Sequence, residues 1–573
     1  MKKSIITTLS FRRNLLSDKI YYKKGKLSPL FFIGCIAAVL SFTAVHAQTD
    51  TLIVRGKVEN LTLKLYRQAP EITVARVNIL ESSREIVRTA QLQPDGRFEL
   101  KMPLIYPQEE CYLTYANVVM PFLGTKGATV EVTIFVDSLG KNGLPLRFGG
   151  VRATTNNRHA QFYTAFNKWL KANPDNPPTK FDNSYRFWEK TALEQDRRVD
   201  FYRAFFTTKD PLLDKWVISS LEDATKAKFY NLLTQRTEPL PTGLLGAADL
   251  DTTLFLTFAK ADSYQQFMNH AFATTHNLAE GALAVNKLSA LILKYVPDLS
   301  TEDSLKLESF IQGGKAKSKD ISFLSNLFNR QEETLRLISI YEVYCRNFGA
   351  TYNEKELEYL KTVFYASNMN NFTSQKMTIW YNHIRPTLKN PYYIRSLDEI
   401  HHIQSIDSAL IHSATSQIDY ATTNDPLEVK SGIFLAKNSE FTNGNTIWDR
   451  IKKKYQGKTI YLVFWTNDEV GRIALAEAQA LRGTIPENKV AFVYVCEHQT
   501  TDELWIQSVV KSKSRGLHIK LDETQNDFFV NEWGISNVPH SVLVDANGKY
   551  IQRDAPLPAD RAGWDKIWPK VVR

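Results

Sequence analysis

The sequence predicts a multidomain protein with an N-terminal β-sandwich, a central α-helical region and a C-terminal α/β domain. Three observations carry that expectation. Before residue 150, short apolar runs alternate with polar residues and are separated by turn chemistry, the pattern of half-buried strands. From about 155 to 420, apolar and aromatic residues recur at helical spacing. Near the end, Thr459-Ile-Tyr-Leu-Val-Phe-Trp465 is an apolar run of β-formers leading into Leu475-Ala-Glu-Ala-Gln-Ala-Leu481, a buried parallel strand feeding a helix.

A chain of 573 residues exceeds one ordinary domain. At 43% hydrophobic and 12% aromatic, it has the means to build large cores. The net charge of +10 is concentrated at the start: residues 1–47 carry eight Lys/Arg against one Asp, leaving about +3 for the remainder. That is no electrostatic footprint for nucleic acid. Lys19, Lys23, Lys24 and Lys26 precede the apolar run Leu27 to Val45, and Val45-His46-Ala47 suits cleavage before Gln48. Residues 1–47 therefore read as an export signal, or as a membrane anchor if the run is retained. Arg12-Arg13 lies too far from the apolar run for a twin-arginine signal, and Cys35 has most of that run on the wrong side for lipidation. The expected location is the periplasm or cell envelope of a Gram-negative-type bacterium. The mature chain keeps Cys111, Cys345 and Cys496, an odd and sparse set that does not describe a disulfide scaffold.

Residues 50–150 read as the sandwich. Leu52-Ile-Val54 and Gly56-Lys-Val58 start it, and Val77 and Ile79 alternate with Arg76 and Asn78. Pro94-Asp95-Gly96 turns the chain into a strand with Phe98, Leu100 and Met102 on one face. Val130, Val132, Ile134 and Val136 repeat the pattern. In residues 155–420, Phe162, Phe166, Trp169 and Leu170 share one helical face, and a second helix runs from Phe187-Trp188 to Phe205-Phe206. Turn formers at 173–178 and 238–243 break the region, and Leu324, Leu327, Phe328, Leu335 and Ile338 mark a further helix. The aromatic faces read as helix–helix core, with a ligand-binding aromatic cleft as the alternative. Residues 421–456 read as a connector with two short elements.

The C-terminal domain, placed at 432–573, continues with a strand at Val490–Val495, a helix at Asp502–Val510 and a short strand at Leu517–Leu521. A helix at Asn526–Trp533, a strand at Ser541–Val544, the turn Asp545-Ala-Asn-Gly548 and a final helix containing Trp564 and Ile567 complete it. Phe464-Trp465 at a strand end, Val538-Pro539 between helix and strand, and the Asp-x-x-Gly-Lys hairpin make this part similar to the exported thioredoxin-like, TlpA/ResA-type disulfide oxidoreductases. The resemblance implies a thioredoxin-like fold and a cis peptide bond before Pro539. It also extends, less specifically, to the N-terminal β domain and the junction Phe148-Gly149-Gly150. In that family Phe-Trp is followed after three residues by Cys-x-x-Cys. Here Glu469 and Arg472 hold those positions, and no cysteine lies between Cys345 and Cys496.

Dithiol exchange needs one thiolate to attack and a second thiol to resolve, and Glu469 performs neither step. Glu469 and Arg472 read as a solvated helix start, or as a recognition pair on the former active site. Cys496, at the carboxyl end of its strand with His498 and His540 as neighbours in prospect, is the alternative catalytic residue. Free cysteines more often pack as small hydrophobes, and Cys111 and Cys345 read that way too. No metalloprotease, nucleophile-elbow, Walker or dinucleotide motif is present. His401-His402 point about 100° apart on a helix and do not chelate together. Gly313-Gly-Lys-Ala-Lys-Ser-Lys319 reads as a solvated loop. No metal or cofactor is expected.

Three functions remain open. One is a redox-inactive exported module in which Trp465, Val538, Pro539 and His540 border a peptide groove, the resemblance implying backbone pairing with an extended exported protein or peptide client. Another is a thiol-disulfide oxidoreductase working through Cys496 alone. In the third, the helical middle carries the activity with both ends as accessory modules, although it offers no motif of its own.

Overall fold

The computed structural model describes residues 50–571 apart from 117, 140–143, 175–182, 241–254, 276–282, 315–316, 370–371, 483–484 and 486–488. The expected export signal at 1–47 lies outside the described residues, as do parts of the breaks at 173–178 and 238–243 and of the basic loop at 313–319. No helix among the described residues is long and apolar enough to cross a membrane.

The first eight strands form two four-stranded sheets. They are β1 (Thr51–Glu59), then helix α1 (Leu63–Gln68), β2 (Glu71–Asn78), β3 (Glu81–Gln91), β4 (Arg97–Pro103), β5 (Gln108–Tyr115), β6 (Val118–Thr125), β7 (Thr129–Phe135) and β8 (Leu146–Gly150). One sheet has the order β4-β1-β7-β8, the other β3-β2-β5-β6. Inward residues of both, among them Leu52, Val54, Ile72, Val74, Phe98, Leu113, Phe122 and Val132, make one core. Gly96 turns β3 into β4 at φ +82°, where only glycine is unstrained. Arg76 and Asn78 do not alternate outward as the strand pattern predicts; both are about 1% exposed. The outer face of β2 is covered by a helix of the next region, so its polar residues are buried and paired instead of solvated.

The helical middle comprises α2 (Ala153–Ala172), α3 (Ser184–Phe205), α4 (Pro211–Arg236), α5 (Phe258–Thr275), α6 (Val285–Tyr295), α7 (Thr301–Ile311), α8 (Ser318–Asn329), α9 (Glu332–Gly349), α10 (Glu354–Asn368), α11 (Ser374–Ile384) and α12 (Pro391–Gln417). The aromatic face of α2 packs on α3: Phe162 meets Tyr202 edge-on at 5.1 Å and Trp169 stacks on Phe201 at 4.9 Å. The single helix expected around 324–338 is two, α8 and α9, broken at Arg330-Gln331. His401 on α12 stacks on Tyr381 at 3.8 Å, while His402 is exposed.

The C-terminal sheet has seven strands in the order β15-β14-β11-β12-β13-β10-β9. In chain order its elements are β9 (Leu427–Lys430), β10 (Ile433–Lys437), α13 (Gly444–Lys454), β11 (Thr459–Trp465), α14 (Glu469–Arg482), β12 (Val490–Cys496), α15 (Asp502–Ser512) and β13 (Gly516–Lys520). They continue with α16 (Glu523–Trp533), β14 (His540–Val544), β15 (Tyr550–Gln552) and α17 (Arg561–Val571). The stretch 421–456 is therefore no simple connector, since β9 and β10 extend the sheet and α13 covers it. All seven residues of β11 are buried, as expected for a strand with helices on both faces. Tyr461, Val463 and Trp465 face one core with Leu475, Ala478, Trp505 and Ile506. Ile460, Leu462 and Phe464 face the other with Trp448, Phe529 and Trp533. The end of α12 contributes Ile411 and Ala414 to the first of these cores, and Lys511 Nζ donates to the Met369 carbonyl at 2.6 Å, tying the helical middle to α15.

Candidate functional site at the carboxyl edge of the C-terminal sheet

Register gathers the candidate residues on one edge. β11 and β12 are parallel with Trp465 opposite Cys496. β14 runs antiparallel to β11 with His540 opposite Phe464, so Pro539 lies next to the end of β11. The Val538–Pro539 peptide bond is cis. The loop 466–468, the start of α14, residues 497–500 and the Pro539 turn all meet here, where α/β folds place ligands.

The start of α14 is closed by its own sequence. Asp468 Oδ1 accepts from the Gly471 amide at 2.7 Å, and its Oδ2 accepts from Thr466 Oγ1 at 2.8 Å. The Arg472 amide donates to the Asp468 carbonyl at 3.1 Å, the first turn of the helix. This carboxylate satisfies an otherwise orphaned amide and complements the helix dipole. Arg472 is turned back onto the loop, its Nη1 donating to the Asn467 carbonyl at 3.1 Å. Glu469 is exposed at the first helical position. A Cβ on Gly471 would lie 1.9 Å from the Thr466 carbonyl oxygen, so only glycine lets the loop fold this tightly against the helix. Asp468 and Gly471 were not singled out in the sequence; the signal was an Asp three residues before a Gly at a helix start.

Trp465 does not border a groove. It is fully buried, because the odd-numbered side chains of β11 point into the core beneath α14 and α15. Val538, Pro539 and His540 are half-buried and remain at the edge. Neither the amide nor the carbonyl of Val538 enters a hydrogen bond among the described residues. On α14, Val470 and Ile473 are 58% and 50% exposed, an apolar strip in the first turns of that helix.

Cys496 is fully buried and sits in the same core as Trp465. Burial pushes its thiol up to about 12, the Thr500 hydroxyl and the Lys520 ammonium offsetting only part of that. A buried thiol raised this far is not an attacking thiolate at neutral pH. His540 does not assist it. Paired with Phe464, it lies on the opposite face of the sheet, with Nε2 on the Arg553 carbonyl at 2.8 Å. His498 is half-buried with Nδ1 unpartnered. Burial raises the neighbouring Glu497 carboxyl; His498 draws it partly down and Asp468 pushes it further up. Cys345 is pushed up to about 12, and Cys111 is likewise raised, both by burial. No cluster of three metal-ligating side chains occurs among the described residues. The edge therefore presents an apolar strip and an unpaired backbone, with no thiolate exposed.

Over about a fifth of its length the chain resembles thioredoxin-like thiol-disulfide oxidoreductases. The thioredoxin domain of a Bacteroides vulgatus thiol-disulfide oxidoreductase is 16% identical, covering 21% of this chain and 84% of that one at a TM-score of 0.19. A secreted Mycobacterium tuberculosis disulfide oxidoreductase homologous to E. coli DsbE is 17% identical, covering 21% and 84% at a TM-score of 0.17. A thioredoxin-like protein from Bacteroides caccae is 11% identical, covering 48% of this chain and 91% of that one at 0.16. No family model and no curated protein matches the chain.

Proposed function

We propose that this is an exported protein whose C-terminal thioredoxin-like domain has lost thiol chemistry and binds an extended segment of another exported protein. The observation that carries the reading is the Asp468 cap: the helix N-terminus that serves a thiolate in redox-active relatives holds a carboxylate of the chain itself. The unpaired Val538 backbone beside the cis Pro539 supports strand addition by an extended peptide. Val470 and Ile473 supply apolar contacts alongside it. Glu469 and Arg472 flank that strip, Glu469 from solvent and Arg472 from the loop.

The test is fluorescence polarisation with a library of labelled extended apolar peptides on the mature chain. Binding is expected to fall at least tenfold in Val470→Asp or Ile473→Asp, and when the backbone amides of a binding peptide are N-methylated. A library that yields no binder, or binders indifferent to both changes, overturns the reading.

A further inference from the structure

The helical middle contains a cavity of about 500 Å³, within the ~300–1,000 Å³ range of small-molecule sites. It lies far in sequence from the Pro539 edge and is built by α5, α6, α8, α9 and α10. Its walls are apolar, with Phe272, Leu288, Phe328, Val343 and Phe364 among them. One face of α9 runs the length of the cavity, placing Arg336, Ser339, Ile340, Val343 and Asn347 along it at helical spacing.

Three polar groups on that face lack partners. Asn347 is 8% exposed, yet its Nδ2 makes no hydrogen bond, and the Ser339 hydroxyl is buried without one. Arg336 makes no ion pair among the described residues and stands exposed. A buried amide N–H without a protein acceptor is expensive, so an oxygen accepting from it would be favoured. Arg336 and the 48% exposed Ile340 set the open end; Asn347 marks the closed one. Arg336 and Asn347 stand eleven positions apart on the helix, roughly 16 Å at the α-helical rise.

We infer that this cavity binds a long-chain carboxylate with an oxygen at its far end. The carboxylate pairs with the Arg336 guanidinium and the Ser339 hydroxyl at the mouth. The aliphatic body lies against Val343 and the phenylalanines, and the distal oxygen accepts from Asn347 Nδ2. A charged head at the open end stays partly hydrated, so its binding does not require burying an ion.

The experiment is calorimetric titration of the mature chain with lauric acid, ω-hydroxylauric acid and lauryl alcohol, with circular dichroism and melting temperature recorded for every variant. The hydroxylated acid is expected to bind best. Arg336→Gln should weaken both acids at least tenfold and leave the alcohol unmoved. Asn347→Leu should remove the preference for the hydroxylated chain, and Val343→Trp should fill the cavity and abolish binding of all three. Absence of binding up to the solubility limit overturns the inference. So does acid binding that well-folded Arg336→Gln and Val343→Trp variants retain.

Discussion

Asp468 and Gly471 close the start of α14 together: the Asp468 carboxylate accepts the Gly471 amide at 2.7 Å, and the absent side chain of Gly471 lets the Thr466 carbonyl lie against it. Asp468→Ala removes the cap and is expected to cost about 1 kcal/mol, whereas Asp468→Asn keeps an acceptor and costs less. Gly471→Ala gains helix propensity but forces a Cβ into a backbone oxygen, for a net loss of about 1–3 kcal/mol. Urea titrations of the three variants check the order.

Cys496 should resist alkylation in the folded protein. Its thiol, raised to about 12 from an ordinary value near 9, stays protonated at pH 8 as well as sealed from solvent. Because the folded value is the raised one, the neutral thiol's contribution to stability is full below pH 9 and is lost as pH climbs toward 12. Iodoacetamide with intact-mass detection should label it at pH 8 only after denaturant is added. Prompt labelling of folded protein at Cys496 would contradict this placement.

Stability should decline on mild acidification. His518 is fully buried, its Nε2 on the Ser514 carbonyl at 2.6 Å and its ring stacked on Tyr494 at 4.4 Å; burial lowers its pKa to about 3. His159, stacked on Trp216 at 3.6 Å, is lowered to about 3 for the same reason. Both stay neutral when folded, while the unfolded chain takes up protons below about 6.5. Their contribution is therefore present above 6.5 and lost as pH falls toward 3, at up to about 1.4 kcal/mol per pH unit for each. Denaturant melts at pH 7, 6 and 5 should show that slope, reduced in His518→Gln.

Arg76 ties the sandwich to the helical middle. Its Nε donates to the Pro103 carbonyl at 2.7 Å and lies 3.4 Å from the buried Glu109 carboxylate, while its Nη2 bonds Glu399 of α12. Asn78 Nδ2 reaches the same Glu399 at 3.0 Å. Arg76→Ala strands the buried Glu109 without a cation and is expected to cost about 3–5 kcal/mol. Glu399→Gln keeps an acceptor beside Arg76 and should cost about 1–2 kcal/mol. Chemical denaturation of the two variants checks the ratio.

Strand and helix types were legible wherever one face of the chain met one core. The alternation through Phe98, Leu100 and Met102, and the unbroken apolar run of β11, each translate directly into burial. What was not legible depended on contacts between distant segments. Arg76 reads as an outward strand residue until Glu399, 323 positions later, covers it. β9 and β10 read as no more than short connector elements; β10 is held in the sheet by pairing with β13, and β9 by pairing with β10. At the edge, Pro539 is recognisable from its neighbours, but the facing of Trp465 depends on which side α14 and α15 pack. The opposite-face placement of Cys496 and His540 depends on strand register, which no local pattern encodes.

The Asp468-capped edge is expected to carry no electrons, and turbidimetric insulin reduction driven by a dithiol donor is the measurement that decides it. The purified protein should leave the rate at that of the donor alone. A rate that rises with protein concentration and returns to background in Cys496→Ser would contradict it.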